Sequence, residues 1–137
     1  MATKIKFLKQ AKFNDAILFT GLPGIGLVGK IAVDYLLKQF SAEKVAEITS
    51  DSFPPSVHTK EGLVELIKDE IYLYRFKNRD FLFLAGPVQP ALDMRNVSMA
   101  EHYEFAGTII SELKKAGLKE VYTLAGINIG EKRMVTG

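Results

Sequence analysis

The 137-residue sequence predicts an α/β architecture: a mixed, mostly parallel sheet flanked by helices, with an antiparallel hairpin insertion. Three observations carry that expectation. Short apolar runs of strand length alternate with longer amphipathic stretches of helical period. A glycine-rich loop, Gly21 to Gly29, lies between one such run and one such stretch. After Phe53-Pro54-Pro55 the alternation gives way to closely spaced short runs separated by turn residues.

Each element follows from its own residues. Lys4 to Leu8 reads as an edge strand, because lysines interleaved with Ile5, Phe7 and Leu8 discourage edge-to-edge pairing. Lys4, Lys6, Lys9 and Lys12 also allow a basic arm for an acidic partner. Ala16 to Thr20 is nearly all apolar and suits a strand buried on both faces. A helix is expected over Leu27 to Phe40, with Val28, Ile31, Ala32, Tyr35, Leu36 and Phe40 as its apolar face. Lys44 to Ser50 is the next strand, completing a β-α-β unit.

Pro54 and Pro55 stop regular structure, since neither can donate to a ladder. Antiparallel strands follow at Val57 to Thr59, Leu63 to Ile67, Ile71 to Phe76 and Phe81 to Ala85. Turns at Lys60-Glu61-Gly62, Lys68-Asp69 and Lys77-Asn78-Arg79-Asp80 join them. Phe81 to Ala85 is continuously apolar and belongs to the central sheet. The second helix opens on the capping box Ser98 to Glu101 and closes at Gly117, with Lys114 and Lys115 at the negative end of its dipole. Its expected buried stripe is Met99, Tyr103, Ala106, Ile109, Ile110 and Leu113. Val121 to Ala125 is the last strand. No covering element follows it, so either the domain continues beyond this chain or an oligomer covers that face.

Composition bounds the function. Apolar residues are 47% and charged residues 25%, the mix of a soluble globular domain, and the length suits one domain over residues 1–137. A formal charge of +2 gives no argument for nucleic acid, and no apolar run approaches the roughly 20 residues of a membrane span. The absence of cysteine excludes disulfides and thiol chemistry. With no signal-peptide-length apolar core near Met1, a cytoplasmic protein is expected.

The glycine loop matches two phosphate-binding patterns and lacks a decisive part of each. Gly24 to Lys30 spells G-x-x-x-x-G-K, but Ile31 stands where magnesium binding needs Ser or Thr. Gly24, Gly26 and Gly29 spell G-x-G-x-x-G, but Glu47 and Asp51 are poorly placed for the ribose-binding acid. Close packing of helix on strand explains the same glycines. His58 and His102, with no cysteine to join them, read as surface or helix-face histidines, and no metal or cofactor is expected. No G-x-S-x-G elbow is present. One constellation remains: three apolar strands end in Gly21 to Gly29, Gly86 to Pro90, and Gly126. Were those strands parallel neighbours, their loops would gather at one sheet edge as a crevice or anion loop. Gly21, Gly24, Gly26, Gly29, Lys30, Gly86, Gln89 and Gly126 are its candidate residues, with Asn128 and Tyr103 as possible lining. Glycine at strand-to-helix turns accounts for the pattern as well.

Leu18 through Gly29, then Ala32 and Tyr35-Leu36, resembles the start of the proteasome assembly chaperone family, especially its archaeal members. Ser52-Phe53-Pro54-Pro55, Leu84-Ala85-Gly86 to Gln89-Pro90, and Leu124-Ala125-Gly126 extend the resemblance from about Ala16 to Gly126. It implies a nucleoside-phosphorylase-like fold and a self-associating scaffold that assists assembly of proteasome α-subunits. Some archaeal members carry a C-terminal hydrophobic-tyrosine-X tail that docks into the α-ring, whereas this chain ends Met134-Val135-Thr136-Gly137. The family is longer, so the resemblance covers its N-terminal portion. Two functions stand as expectations: a non-enzymatic binding protein of this kind, or a ligase-like enzyme or sensor that binds a nucleotide or phosphometabolite at Gly24 to Lys30.

Overall fold

The computed structural model describes residues 3–9, 12–21, 28–50, 57–60, 63–86 and 99–124. In chain order they form β1 (Thr3–Phe7), β2 (Ala16–Thr20), α1 (Val28–Gln39), β3 (Glu43–Ser50), β4 (Val57–Lys60), β5 (Leu63–Leu66), β6 (Asp69–Phe76), β7 (Arg79–Ala85), α2 (Met99–Ala116) and β8 (Leu118–Thr123). Six strands make one sheet in the order β1-β3-β6-β7-β2-β8, while β4 and β5 form a separate antiparallel pair. Every expected strand has a counterpart, the last beginning earlier than expected at Leu118 and with Ala125 outside the described residues, and β1 takes the edge position that its lysines suggested.

The sheet is mixed, but it is not mostly parallel. Antiparallel ladders join β1 to β3, β3 to β6 and β6 to β7, against parallel ladders only for β7 with β2 and β2 with β8. The cause is local. Lys77 and Asn78 both adopt left-handed backbone (φ 50° and 63°), which makes a tight turn placing Phe76 opposite Arg79. Such a turn can only join antiparallel strands. The resulting hairpin sits between β2 and β3, so the two ends of the expected β-α-β unit run the same way but are not neighbours. A mostly parallel sheet and a nucleoside-phosphorylase-like arrangement are therefore not supported.

Each face of the sheet carries one helix. Leu18, Ile48, Ile71, Leu82 and Leu84 meet Phe105, Ile109 and Leu113 of α2 in the larger cluster. The other cluster centres on Val33, Phe83 and Ala85, with Leu36 and Leu37 of α1 and Phe40 just after it packed beside them. Both helices are rotated from their expected phase. On α1, Ile31 and Tyr35 are 60% and 62% exposed, and Val33 is fully buried. Gly29 sets this rotation: its bare backbone lies against the strand ends, and Val33, Leu36, Leu37 and Phe40 follow on the same side. On α2 the inward positions are Phe105, Ile109, Leu113 and Ala116, whereas Tyr103 and Ala106 are exposed. Phe105 was not in the expected stripe. Ser98 lies outside the described residues. Gly117 stops the helix as expected, at φ 116°, where its Cα lies against the Phe13 carbonyl.

Polar ties fix the periphery. Asp80 is fully buried and accepts hydrogen bonds from the Asn14 backbone N–H (2.9 Å) and from Arg75 Nε (2.6 Å). The Thr3 hydroxyl donates to Glu104 Oε1 at 2.6 Å, which ties β1 to α2.

Candidate functional site

The three glycine-ended strands are parallel neighbours. Thr20 at the end of β2 is in register with Leu84 of β7 on one side and Thr123 of β8 on the other. The Gly21 N–H donates to the Leu84 carbonyl at 3.1 Å, and the Leu124 N–H donates to the Thr20 carbonyl at 3.0 Å. The sequence-level condition for a shared sheet edge is thus met. Gly21, Gly29 and Gly86 are within the described residues, but Gly24, Gly26, Gln89, Gly126 and Asn128 are outside them.

Packed backbone fills the described part of this corner. A Cβ on Gly21 would collide with the Gly29 carbonyl oxygen and with Val33, and one on Gly29 would collide with the Leu124 carbonyl oxygen. The helix therefore rests directly on the ends of β2 and β8. The position that a Cβ on Gly29 would take faces a carbonyl oxygen, which does not attract anions. Lys30 makes a 2.6 Å ion pair with Asp34, one turn along α1. Gly86 packs against the buried Asp69 at the start of β6. Tyr103 is 73% exposed on α2. His58 is on β4 opposite Glu65, and His102 is on α2. Among the described residues, no group of three His, Cys, Asp or Glu side chains could hold a metal ion.

A second feature lies on the α1 face. Strand alternation sends Phe19, Phe81, Phe83, Tyr72 and Tyr74 to this side, and Leu18, Leu82, Leu84, Ile71 and Leu73 to the other. Rings meet in a continuous row. Tyr122 stacks on Phe19 and Phe19 on Phe83, both with centroids 5.6 Å apart. Phe40, just after α1, bridges Phe83 (6.2 Å) and Tyr74 (4.6 Å), and Tyr74 continues to Phe76. Helix α1 only partly covers the row, leaving an open groove of about 380 Å³ between Leu36, Phe40, Tyr74, Phe76 and Phe81. Phe76 and Tyr122 stay about half exposed. Sequence reading missed this surface because it took Ala16 to Thr20 and Phe81 to Ala85 as apolar runs without separating their two faces. The available signal was aromatic against aliphatic residues at alternate positions.

Beyond the aromatic row the same face is charged. Lys44 Nζ contacts Glu70 at 2.8 Å and Glu47 at 3.2 Å, and Lys68 reaches Glu47 at 3.2 Å. Burial pushes the Glu47 carboxyl up, and the two lysines outweigh it and hold the group below its ordinary value. The Lys44 ammonium is held well above its usual range, chiefly by its hydrogen bond to Glu70. Burial and then Glu70 raise the Tyr72 phenol. The cluster pairs its own charges and stitches β3 to β6. The open surface beside it is apolar, suited to a polypeptide side chain more than to a polar metabolite.

The family model of the PAC2 family matches residues 18–136. The chain belongs to the PAC2 family. Among its relatives, the uncharacterized protein MJ1210 of Methanocaldococcus jannaschii is 33% identical over 119 residues, covering 86% of this chain and 43% of that protein. Two solved structures from Pyrococcus furiosus are also similar. PbaB, described as an archaeal proteasome activator, is 32% identical with a TM-score of 0.79, over 88% of this chain and 50% of its own. PbaA, described as an archaeal homolog of proteasome-assembly chaperone, is 26% identical with a TM-score of 0.64, over 94% and 50%. This PAC2 chain thus spans about half the length of the relatives it matches. Among its described residues, no helix is long and apolar enough to cross a membrane.

Proposed function

We propose that this PAC2-family protein is a non-enzymatic, self-associating binding protein of the cytoplasm that assists assembly of proteasome α-subunits. The likeness to PbaB over 88% of the chain is the observation that carries this reading. The open aromatic groove supports it, because exposed rings beside a rigid sheet suit contact with another protein. Residues 1–137 act as one α/β domain in this reading. The test is co-purification of the protein with α-subunits, together with the rate of α-ring formation with and without it. Association with faster ring formation is expected. Absence of both overturns the proposal.

The other reading places a nucleotide or phosphometabolite at the strand-end corner. Gly21, Gly29 and Gly86 would form its floor, and Gly24, Gly26, Lys30, Gln89 and Gly126 its remaining residues. The convergence of β7, β2 and β8 on that corner is what favours it. Calorimetric titration with ATP, NAD and inorganic phosphate separates the two. Saturable heat abolished by Lys30→Ala would support the ligand site, and a flat titration would remove it.

A further inference from the structure

Positive charge collects at one end of the six-stranded sheet. There β1, β6 and both helices finish and β2, β3, β7 and β8 begin, as the strand pairing requires. The connections at this end are described apart from residues 10 and 11. Four of its carboxylates are already paired: Asp80 with Arg75, Glu120 with Arg79, Glu43 with Lys9, and Glu112 with Lys115. Among the described residues, Lys12, Lys38, Lys77, Lys114 and Lys119 are exposed and make no ion pair, and Asp15 is the one unpaired carboxylate at their end. Five ammonium groups against one carboxylate exceed the formal +2 of the whole chain, so charge is concentrated here. Lys38 and Lys114 suit the negative ends of α1 and α2, but Lys77 sits in a hairpin turn where no helix dipole accounts for it.

The aromatic groove opens at this same end, between Phe76 at the close of β6 and Phe81 near the start of β7. Lys77 Nζ stands over its rim, 5.3 Å from the Phe76 ring centre. Burial and then Glu70 raise the Tyr72 phenol of β6, and the Asp34 charge adds to them, which puts Asp34 on the β6 side of α1. Lys38 follows one turn along that side, toward Tyr74. The groove lining holds no carboxylate, and the Tyr74 hydroxyl is its one polar side-chain group among the described residues.

We propose that this groove takes an acidic polypeptide segment, one large apolar side chain entering the aromatic floor while neighbouring Asp or Glu residues pair with Lys38 and Lys77. The inference rests on the reading of this face as a protein-contact surface and adds the chemistry of the partner. Charge complementarity selects the sign, because the two rim cations have no carboxylate of their own and a basic segment would meet repulsion. The same end does not suit a nucleic acid. A phosphate chain needs an unbroken cationic track, and Glu43, Glu112 and Glu120 interrupt this one. Nor does it suit an anionic membrane, where a half-exposed Phe76 offers too little apolar surface to insert. One buried apolar side chain with two exposed ion pairs gives a dissociation constant between about 0.1 and 1 mM.

Titration of the full chain with a short peptide of Glu residues around one central Phe, followed by amide NMR shifts, tests the proposal. Saturable shifts at Phe40, Phe76 and Lys77 are expected, weakened by added salt and lost when the peptide's Phe becomes Ala or its Glu residues become Lys. Lys38→Glu together with Lys77→Glu should weaken binding about tenfold or more, with an unchanged circular dichroism spectrum. Lys4→Glu together with Lys6→Glu makes the same change in net charge on β1 and should leave binding as it was. Equal loss in both double variants overturns the proposal, since net charge alone would then attract the peptide. Absence of saturable shifts overturns it, as does tighter binding of oligouridine or of phosphatidylserine vesicles than of the peptide. Capture of α-subunits that the Lys38 and Lys77 variant leaves intact overturns this partner chemistry while the proposed function stands. Peptide binding at the groove without any α-subunit capture supports the surface and counts against the proteasome reading alone.

Discussion

Asp80 shows how a single buried carboxylate is held charged. Burial alone would push its carboxyl up, but Arg75 and the Asn14 backbone N–H outweigh that and hold it below its ordinary value of 3.8. A folded-state value below the unfolded one contributes stability in full above the unfolded value, and the contribution is lost as pH falls through the folded value. Glu104, held down chiefly by the Thr3 hydroxyl, and Glu47 act in the same direction. The protein should therefore lose stability on acidification below about pH 4.5. Asp80→Asn should lower the unfolding free energy at pH 7 by about 1–3 kcal/mol and make its fall between pH 5 and 3 shallower, measured by urea titration at several pH values. An undiminished acid slope would assign the loss to other groups. Glycines give a second contrast. A methyl at Gly29 meets the Leu124 backbone carbonyl, whereas at Gly107 on the exposed side of α2 it meets nothing. Thermal unfolding should show Gly29→Ala destabilised by about 1–3 kcal/mol and Gly107→Ala stabilised by about 0.5–1 kcal/mol.

The β6–β7 hairpin decides the sheet's topology, and its turn is the part most open to a local test. Asn78 tolerates left-handed backbone because its short polar side chain does, and a β-branched residue there does not. Asn78→Val should cost about 1–2 kcal/mol in chemical denaturation, with no change in the stack of Tyr122, Phe19 and Phe83, which lies away from the turn. This hairpin also marks the limit of what the sequence conveys. Lys77-Asn78 signals a turn plainly, as the run Phe81 to Ala85 signals a central strand and Gly117 a helix stop. Which strands those turns leave adjacent depends on pairing across the whole chain, and no window of residues contains that. Helix phase was misread for a similar reason. Ile31 is as apolar as Val33, and Tyr35 has an apolar ring that also fits a buried stripe, so the contact of Gly29 with the ends of β2 and β8 is what selects between the two faces. The strand-end corner was legible from its glycines. The aromatic groove was hidden, because every one of its residues is equally at home in a sealed core.

Among the described residues the sheet has one sealed face and one open face, and this asymmetry joins stability to the proposed role. Under α2, Leu18, Ile48, Ile71, Leu82 and Leu113 have no solvent exposure. Removing part of such a side chain leaves a cavity that the surrounding sheet cannot close, so Leu82→Ala should cost about 2–5 kcal/mol. On the α1 side, Phe76 is half exposed at the end of the ring row, with Lys77 Nζ 5.3 Å above it. Water already covers much of that ring, and Phe76→Ala in the isolated chain should cost under about 1 kcal/mol. If the open groove is the surface that meets a proteasome subunit, the order reverses for binding. Phe76→Ala should then weaken α-subunit capture severalfold, while Leu82→Ala, assayed where it is still folded, should not. Urea titration and quantitative pull-down of both variants measure the two effects separately. Equal loss of capture in both would mean that binding follows overall stability and not the aromatic surface. A face left unsealed at little cost to folding is what a protein keeps for contact with another chain.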